Sequence, residues 1–566
     1  MIAEPGAPAR DRVSGALLAA IVLLAAWLRF WPDGSVVEGR TFERHDEVHY
    51  VDLARKFLNG SFEVRYFINP TLYAYLLAGA TAVVGAARRV VGLESSFEAF
   101  VVRETLCPFV LTITGRALSI AASALSVFVL ARIGRRLFSP AVGLVAALLL
   151  ALDRLSAQRA VLCGNESLVV LLGLLAFDRM AAAAGGGSSR SSRFITGLLL
   201  GLAAATKYSA GILVVPCFVA LGGGVAPALA GAAAGFALGA PMALLHPSDF
   251  LRGFSTQAAF LHEGYRESDA LEGERGFGFY LRTFPGSHHG LALALACAAG
   301  IVASLALAAR RRDRRQLLLL CGSLPLYVYL GTGIFHRDRF LMPAVPFVLL
   351  HGAWLVDRVA FAAARLLRSD RRAVASLALG LAAVTAAATP GVMATRRFLQ
   401  GRYGHPEPMS ALLEQVQAAL EPGERVAELW FRRTDRLFLD DDPWSSLGLE
   451  RPAAELLDPA RAALRRRGLQ PDRSTLPPLV ERCPTLAELK RAILDLRVDA
   501  IVVVAPSHYA FEPVASERGS RSVDLFRCGY RDELLAWLRS LDDRVVATTP
   551  NGLTMAAILE LARAPK

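Results

Sequence analysis

Val13-Ser-Gly-Ala-Leu-Leu-Ala-Ala-Ile-Val-Leu-Leu-Ala-Ala-Trp-Leu-Arg-Phe-Trp31 decides the class of this protein. An apolar run of this length spans the hydrocarbon core of a bilayer as one helix. Arg10 and Arg12 flank it, and no small-residue cleavage site follows, so it reads as a helix that stays rather than a signal peptide. About a dozen residues further on comes Arg44-His45-Asp46-Glu47-Val48-His49-Tyr50. Two adjacent carboxylates at the mouth of a bilayer are costly unless they do something.

Similar apolar runs recur along the 566 residues, which are 54% hydrophobic with a mean hydropathy of +0.40. The net charge of +12 comes mostly from arginines at the ends of apolar segments. That is the pattern of membrane topology signals, not of a nucleic-acid-binding face. The seven cysteines show no CxxC spacing, so no zinc or redox motif is present.

About eleven spans are expected, over 13–31, 111–131, 140–152, 161–181, 194–206, 208–222, 225–245, 289–309, 316–334, 340–360 and 373–393. The third, fifth and sixth are short. Arginine clusters follow the second span (Arg132, Arg135, Arg136), the fourth (Arg190, Arg193), the eighth (Arg310 to Arg315) and the tenth (Arg358 to Arg372). With the N-terminus inside, all four fall on the cytoplasmic side, as the positive-inside bias requires. Arg396 and Arg397, just outside the last span, are a mild exception. Pro70 to Val91 cannot also cross without reversing every later cluster, so it is expected as an interfacial or re-entrant hairpin on the outer face.

The expected architecture is an α-helical polytopic membrane domain over 1–395, with outer loops 33–110 and 246–288, followed by a small α/β extracytoplasmic domain over 396–566. After residue 395 charge density rises and long apolar runs vanish. Arg425 to Phe431 and Ala500 to Val504 have strand character, and 408–420, 484–496 and 531–540 have helical periodicity. Cys483 and Cys528 lie where a disulfide is permitted, though sequence does not show that they meet.

Asp46 and Glu47 open a predicted short helix, 46–58. Adjacent helical residues face different ways, so one carboxylate can meet a substrate while the other holds a partner. The blander reading is a pair that merely favours a helix start. Glu166, in Cys163-Gly164-Asn165-Glu166, is a second such carboxylate at the outer start of the fourth span. Lys207, one of four lysines, and Arg337 and Arg339 in His336-Arg337-Asp338-Arg339 fall at the outer ends of spans, where headgroup snorkelling is the ordinary explanation.

Asp46-Glu47-x-x-Tyr50 followed by Asn69-Pro-Thr-Leu-Tyr-Ala-Tyr-Leu-Leu77 resembles the first outer loop of the GT-C glycosyltransferases, among them bacterial relatives of protein O-mannosyltransferases and aminoarabinose transferases. Arg116-Ala-Leu-Ser, Gly134-Arg-Arg-Leu-Phe, Gly201-Leu-Ala-Ala-Ala-Thr-Lys207-Tyr208 and His336-Arg-Asp-Arg-Phe-Leu-Met-Pro343 are similar to that superfamily, and the likeness covers about residues 13–395. Their order and placement are more specific than any one of them.

The resemblance implies inverting transfer of a sugar from a polyprenyl-phosphate donor to an acceptor hydroxyl, on a protein, lipid or glycan outside a bacterial cytoplasmic membrane. By position in the motif Asp46 is the base, with Glu47 beside it, and Tyr50 and His336 are further site candidates. Developing charge on a lipid phosphate needs fixed cations, for which Lys207, Arg337 and Arg339 are the candidates. Relatives carry Asp where this chain has Glu166, a longer arm. A divalent cation could be held by Glu47 with His45 or His49. His262 and His288 fall in the outer loop 246–288 and His289 directly follows it; the loop's length without obvious regular structure suits a lid, although lone loop histidines are usually solvated. The rival classes are a polytopic lipid or sugar transporter or flippase, and a catalytically inactive scaffold. The first typically pairs charges near the midplane and repeats its halves, neither of which stands out here.

Overall fold

The computed structural model describes mainly residues 7–30, 45–366, 375–386 and four strands between 426 and 560. Positions 63, 65, 66, 68, 107, 186, 187, 265–274 and 289 fall outside that description, as do the predicted helices 484–496 and 531–540 up to residue 539, most of 408–420, and both Cys483 and Cys528.

In chain order the helices are α1 (Ala7–Phe30), α2 (His45–Leu58), α3 (Leu72–Val90), α4 (Phe97–Leu106), α5 (Phe109–Leu137), α6 (Pro140–Ala151), α7 (Arg154–Ala160), α8 (Glu166–Ala184) and α9 (Arg190–Ala204). There follow α10 (Val214–Leu221), α11 (Ala226–Gly239), α12 (Pro241–Leu245), α13 (Pro247–Glu263), α14 (Gly276–Ser287), α15 (Leu291–Arg311), α16 (Arg314–Gly331) and α17 (Val345–Leu366). The chain divides into two compact units: residues 1–31, 64–73 and 116–399, and residues 32–63, 74–115 and 400–566.

Among the described residues four helices are long and apolar enough to cross a membrane: Phe109–Leu137, Glu166–Ala184, Leu291–Arg311 and Val345–Arg365. The bent pair α6 and α7 makes a fifth if counted as one span. Against eleven expected spans the shortfall lies partly in shorter apolar helices at Ser14–Phe30, Tyr208–Gly224, Ala226–Gly239 and Ala375–Ala386.

The bend between α6 and α7 is 58° and has a clear physical origin. Asp153 caps α7, its Oδ2 accepting the Ser156 N–H at 2.9 Å. The carbonyls left open at the end of α6 need donors in an apolar setting. Fully buried Arg29 donates from Nη1 to Ala151 O at 3.0 Å and from Nη2 to Leu150 O at 3.1 Å, which also accepts the Asp153 N–H at 3.3 Å, while Nε donates to Ser123 Oγ at 2.7 Å. The expected third span, 140–152, is thus half of a broken helix.

Close approach of α9 and α11 brings the end of α9 to its place. A Cβ at Gly201 would collide with the Ala232 carbonyl, and one at Gly235 with the Leu198 carbonyl. Small residues four apart let the two backbones touch, the usual device between membrane helices.

Two expectations for the outer loops need correcting. Residues 72–90 form one unbroken helix and no hairpin. Nothing in Leu72–Val90 interrupts it: there is no proline, and Gly85 serves packing, since a Cβ there would strike the Phe100 ring of α4. The loop 246–288 is not irregular either, since it carries α13 and α14. Pro247 at the first position of α13 suits a helix start, where its missing N–H is no loss.

In the second unit four strands form one sheet, β1 (Val426–Trp430), β2 (Ala500–Pro506), β3 (Asp542–Thr548) and β4 (Thr554–Glu560), in the order β1-β2-β4-β3. β1 and β2 run parallel, while β4 pairs antiparallel with β2 and β3.

Candidate active site

The cluster that can hold an anion is assembled in the first unit from four chain segments. It begins at the turn 163–166. Tyr73 OH and Ser119 Oγ share a hydrogen bond of 3.0 Å, and Ser119 Oγ donates to Gly164 O at 3.1 Å. Next along, Asn165 Nδ2 donates to Thr206 O at 2.7 Å, clamping the start of α8 to the end of α9. Glu166 and Lys207 follow those two residues directly and so face each other, with Lys207 Nζ 3.7 Å from Glu166 Oε1. The same oxygen lies 3.9 Å from Arg339 Nε. Both cations also lie over the Phe340 ring, at 5.6 Å for Lys207 and 5.9 Å for Arg339.

Asp338, next to Arg339, is held from three sides. Its Oδ1 accepts the Arg339 backbone N–H at 2.7 Å and lies 4.0 Å from Arg159 Nη2, while its Oδ2 accepts from Ser287 Oγ at 3.3 Å. Arg159, which the sequence reading passed over, also adds its field to the Glu166 carboxylate. Three cations thus gather around Glu166 and Asp338, at the ends of α7, α8 and α9 and before α17.

Arg337 stands apart. It is exposed, its guanidinium lies 4.9 Å from the Phe335 ring, and Nη1 donates to the His336 carbonyl at 3.3 Å. His336 packs on Phe279, ring centroids 4.0 Å apart. Beside it Tyr280 of α14 is buried, and burial pushes its phenol above the ordinary tyrosine range, so it stays neutral. His288 is not a solvated loop histidine: it is 2% exposed and its Nδ1 lies 2.6 Å from Asp153 Oδ1. Its partner had no signal in the sequence beyond the end of an apolar run.

The acidic pair belongs to the second unit and sits in the first turn of α2. The side chains of His45 and Asp46 lie outside the described residues. Glu47 is buried at 1% exposure, as is Tyr50 at 3%, whose ring meets His49 edge-on at 5.2 Å. Of the metal-ligand set Glu47, His45 and His49, two side chains are described, and among the described residues no three His, Cys, Asp or Glu side chains gather as a metal site.

Residues 111–234 match the family described as dolichyl-phosphate-mannose-protein mannosyltransferase. The structure is similar to ArnT from Cupriavidus metallidurans bound to undecaprenyl phosphate, with a TM-score of 0.53 at 13% identity over 97% of this chain and 99% of that one. The chain shares the fold of these proteins. The Archaeoglobus fulgidus oligosaccharyltransferase in the apo form gives a TM-score of 0.51 at 13% identity, over 88% of this chain and 70% of that one. AglB from the same organism, in complex with an inhibitory peptide and a dolichol-phosphate, gives 0.50 at 12%, over 98% and 75%. No curated protein matches in sequence. This chain's long apolar helices suit a membrane protein.

Proposed function

We propose that this protein moves a sugar from a polyprenyl-phosphate donor to an acceptor hydroxyl on the outer face of a bacterial cytoplasmic membrane. The N-terminus is inside and the region 396–566 outside. The observation that carries this reading is the convergence of Lys207 and Arg339 on Glu166, with Arg159 beside them, at helix ends. Three fixed cations held against two carboxylates suit a phosphodiester, which brings one more negative charge. A sugar-transferring fold whose relative was solved with undecaprenyl phosphate supplies the context.

In the reaction the acceptor oxygen forms a bond to the anomeric carbon from the face opposite the phosphate. The bond from that carbon to the phosphate oxygen breaks, and polyprenyl phosphate leaves. Asp46 takes the acceptor proton as general base. Lys207 and Arg339 hold the phosphate as its charge grows, and Glu166 keeps both cations oriented when no donor is bound. Glu47, the adjacent buried carboxylate of α2, is the second member of the catalytic pair. Supplying purified protein with radiolabelled polyprenyl-phosphate sugars tests the reading. One of them should be consumed with release of polyprenyl phosphate. Transport of intact donor across vesicles without bond cleavage would point to a flippase instead.

A further inference from the structure

Gly286, Ser287 and His288 close α14, and three different groups hold them. Arg154 Nη1 donates to Gly286 O at 3.1 Å. Ser287 Oγ donates to Asp338 Oδ2 at 3.3 Å. His288 Nδ1 donates to Asp153 Oδ1 at 2.6 Å, both side chains being buried. With its other oxygen Asp153 caps α7, and six residues further on Arg159 reaches back to Asp338. The contacts close a ring: Asp153, His288, Ser287, Asp338, Arg159, and along α7 to Asp153 again.

The ring does more than α14 or α7 needs to stay helical. Capping α7 requires one oxygen of Asp153, which the Ser156 N–H already engages. The second oxygen and a histidine are buried with it, at a desolvation cost that apolar packing would avoid. What the ring does fix is Asp338, and Asp338 Oδ1 accepts the backbone N–H of the very next residue, Arg339. The place where the guanidinium of Arg339 meets Glu166 is therefore set by contacts that begin at Asp153.

We infer that Asp153 and His288 are positioning residues for the donor phosphate, acting through Ser287 and Asp338 on Arg339. The inference rests on the reading of the Lys207–Arg339–Glu166 cluster as the phosphate grip. A buried pair that merely stapled the helices would lower stability and leave the donor constants alone. A positioning pair moves donor affinity ahead of turnover, because a residue that acts through the grip changes binding before chemistry.

The test measures binding of undecaprenyl phosphate, KM and kcat for the polyprenyl-phosphate sugar, and the melting temperature, in the full-length protein in nanodiscs. His288→Ala should weaken undecaprenyl phosphate binding and raise KM by about tenfold, with kcat within about threefold. His288→Asn, whose amide can donate where Nδ1 did, should recover most of that loss. Ser287→Ala leaves the buried pair intact and should weaken binding by about threefold without a change in melting temperature; it carries the test alone if His288→Ala does not fold. The inference is overturned if Ser287→Ala binds undecaprenyl phosphate like wild type, if folded His288→Ala does so, or if His288→Asn is no better than His288→Ala. Wild-type protein that does not bind undecaprenyl phosphate would defeat the polyprenyl-phosphate reading itself, and this inference with it.

Discussion

Lys207 lies 3.7 Å from Glu166 because the residues just before each of them are bonded, Asn165 Nδ2 donating to Thr206 O. One amide therefore joins two helix ends and brings a cation and a carboxylate from different spans together. The arrangement makes the cation cluster sensitive to single changes in its frame as well as in its charges.

Lys207→Ala and Arg339→Ala should each weaken donor binding. A hydrogen bond to a charged group is worth about 1.5–3 kcal/mol, roughly ten- to a hundredfold in affinity. Arg337→Ala should cost less than threefold, since its guanidinium is exposed over Phe335. Isothermal titration with undecaprenyl phosphate checks the order, and an Arg337 effect larger than that of Arg339 would reverse the assignment.

Arg29→Met should destabilise the protein by about 2–4 kcal/mol, because it takes the side-chain donor from the Ala151 carbonyl and leaves Leu150 O with backbone donors alone. Thermal unfolding in detergent reads the loss directly. An unchanged melting temperature would mean that the bend between α6 and α7 holds without Arg29.

Much of the cluster could be read from the sequence as separate pieces. Glu166, Lys207 and Arg339 were each singled out as charges at span ends, and the structure puts them on one carboxylate. Arg159 was missed because it sits within seven helical residues with no apolar rhythm of their own. The bond between Asp153 and His288 joins positions 135 apart and has no local pattern. The break after α6 was invisible for a related reason: an apolar run of twelve residues reads as a short span, and only the donor from Arg29 shows that its carbonyls end there. Helices α13 and α14 were hidden by polar and glycine-rich composition, which suggested an irregular loop.

Gly201→Val should prevent α9 from seating on α11, since any Cβ meets the Ala232 carbonyl. Both melting temperature and donor binding should fall, because Lys207 is carried by the end of α9. Gly211→Ala, where no atom lies within 4 Å of a built Cβ, should change neither. Equal behaviour of the two variants would contradict the packing argument.

Reporter fusions after Gly92 and after Gly423 should both report export, the outcome expected if the arginine clusters follow the positive-inside bias. A cytoplasmic signal at either position would put Asp46 on the wrong side of the membrane for the proposed reaction.

The most direct test of the central claim is release of polyprenyl phosphate from radiolabelled donor by purified wild-type protein and by Asp46→Asn, measured alongside donor binding. Loss of a general base costs about two to four orders of magnitude in rate. Asp46→Asn should bind donor like wild type and lose at least a hundredfold in turnover, in line with that range. Turnover by Asp46→Asn within about threefold of wild type, against the loss expected for a base, would contradict it.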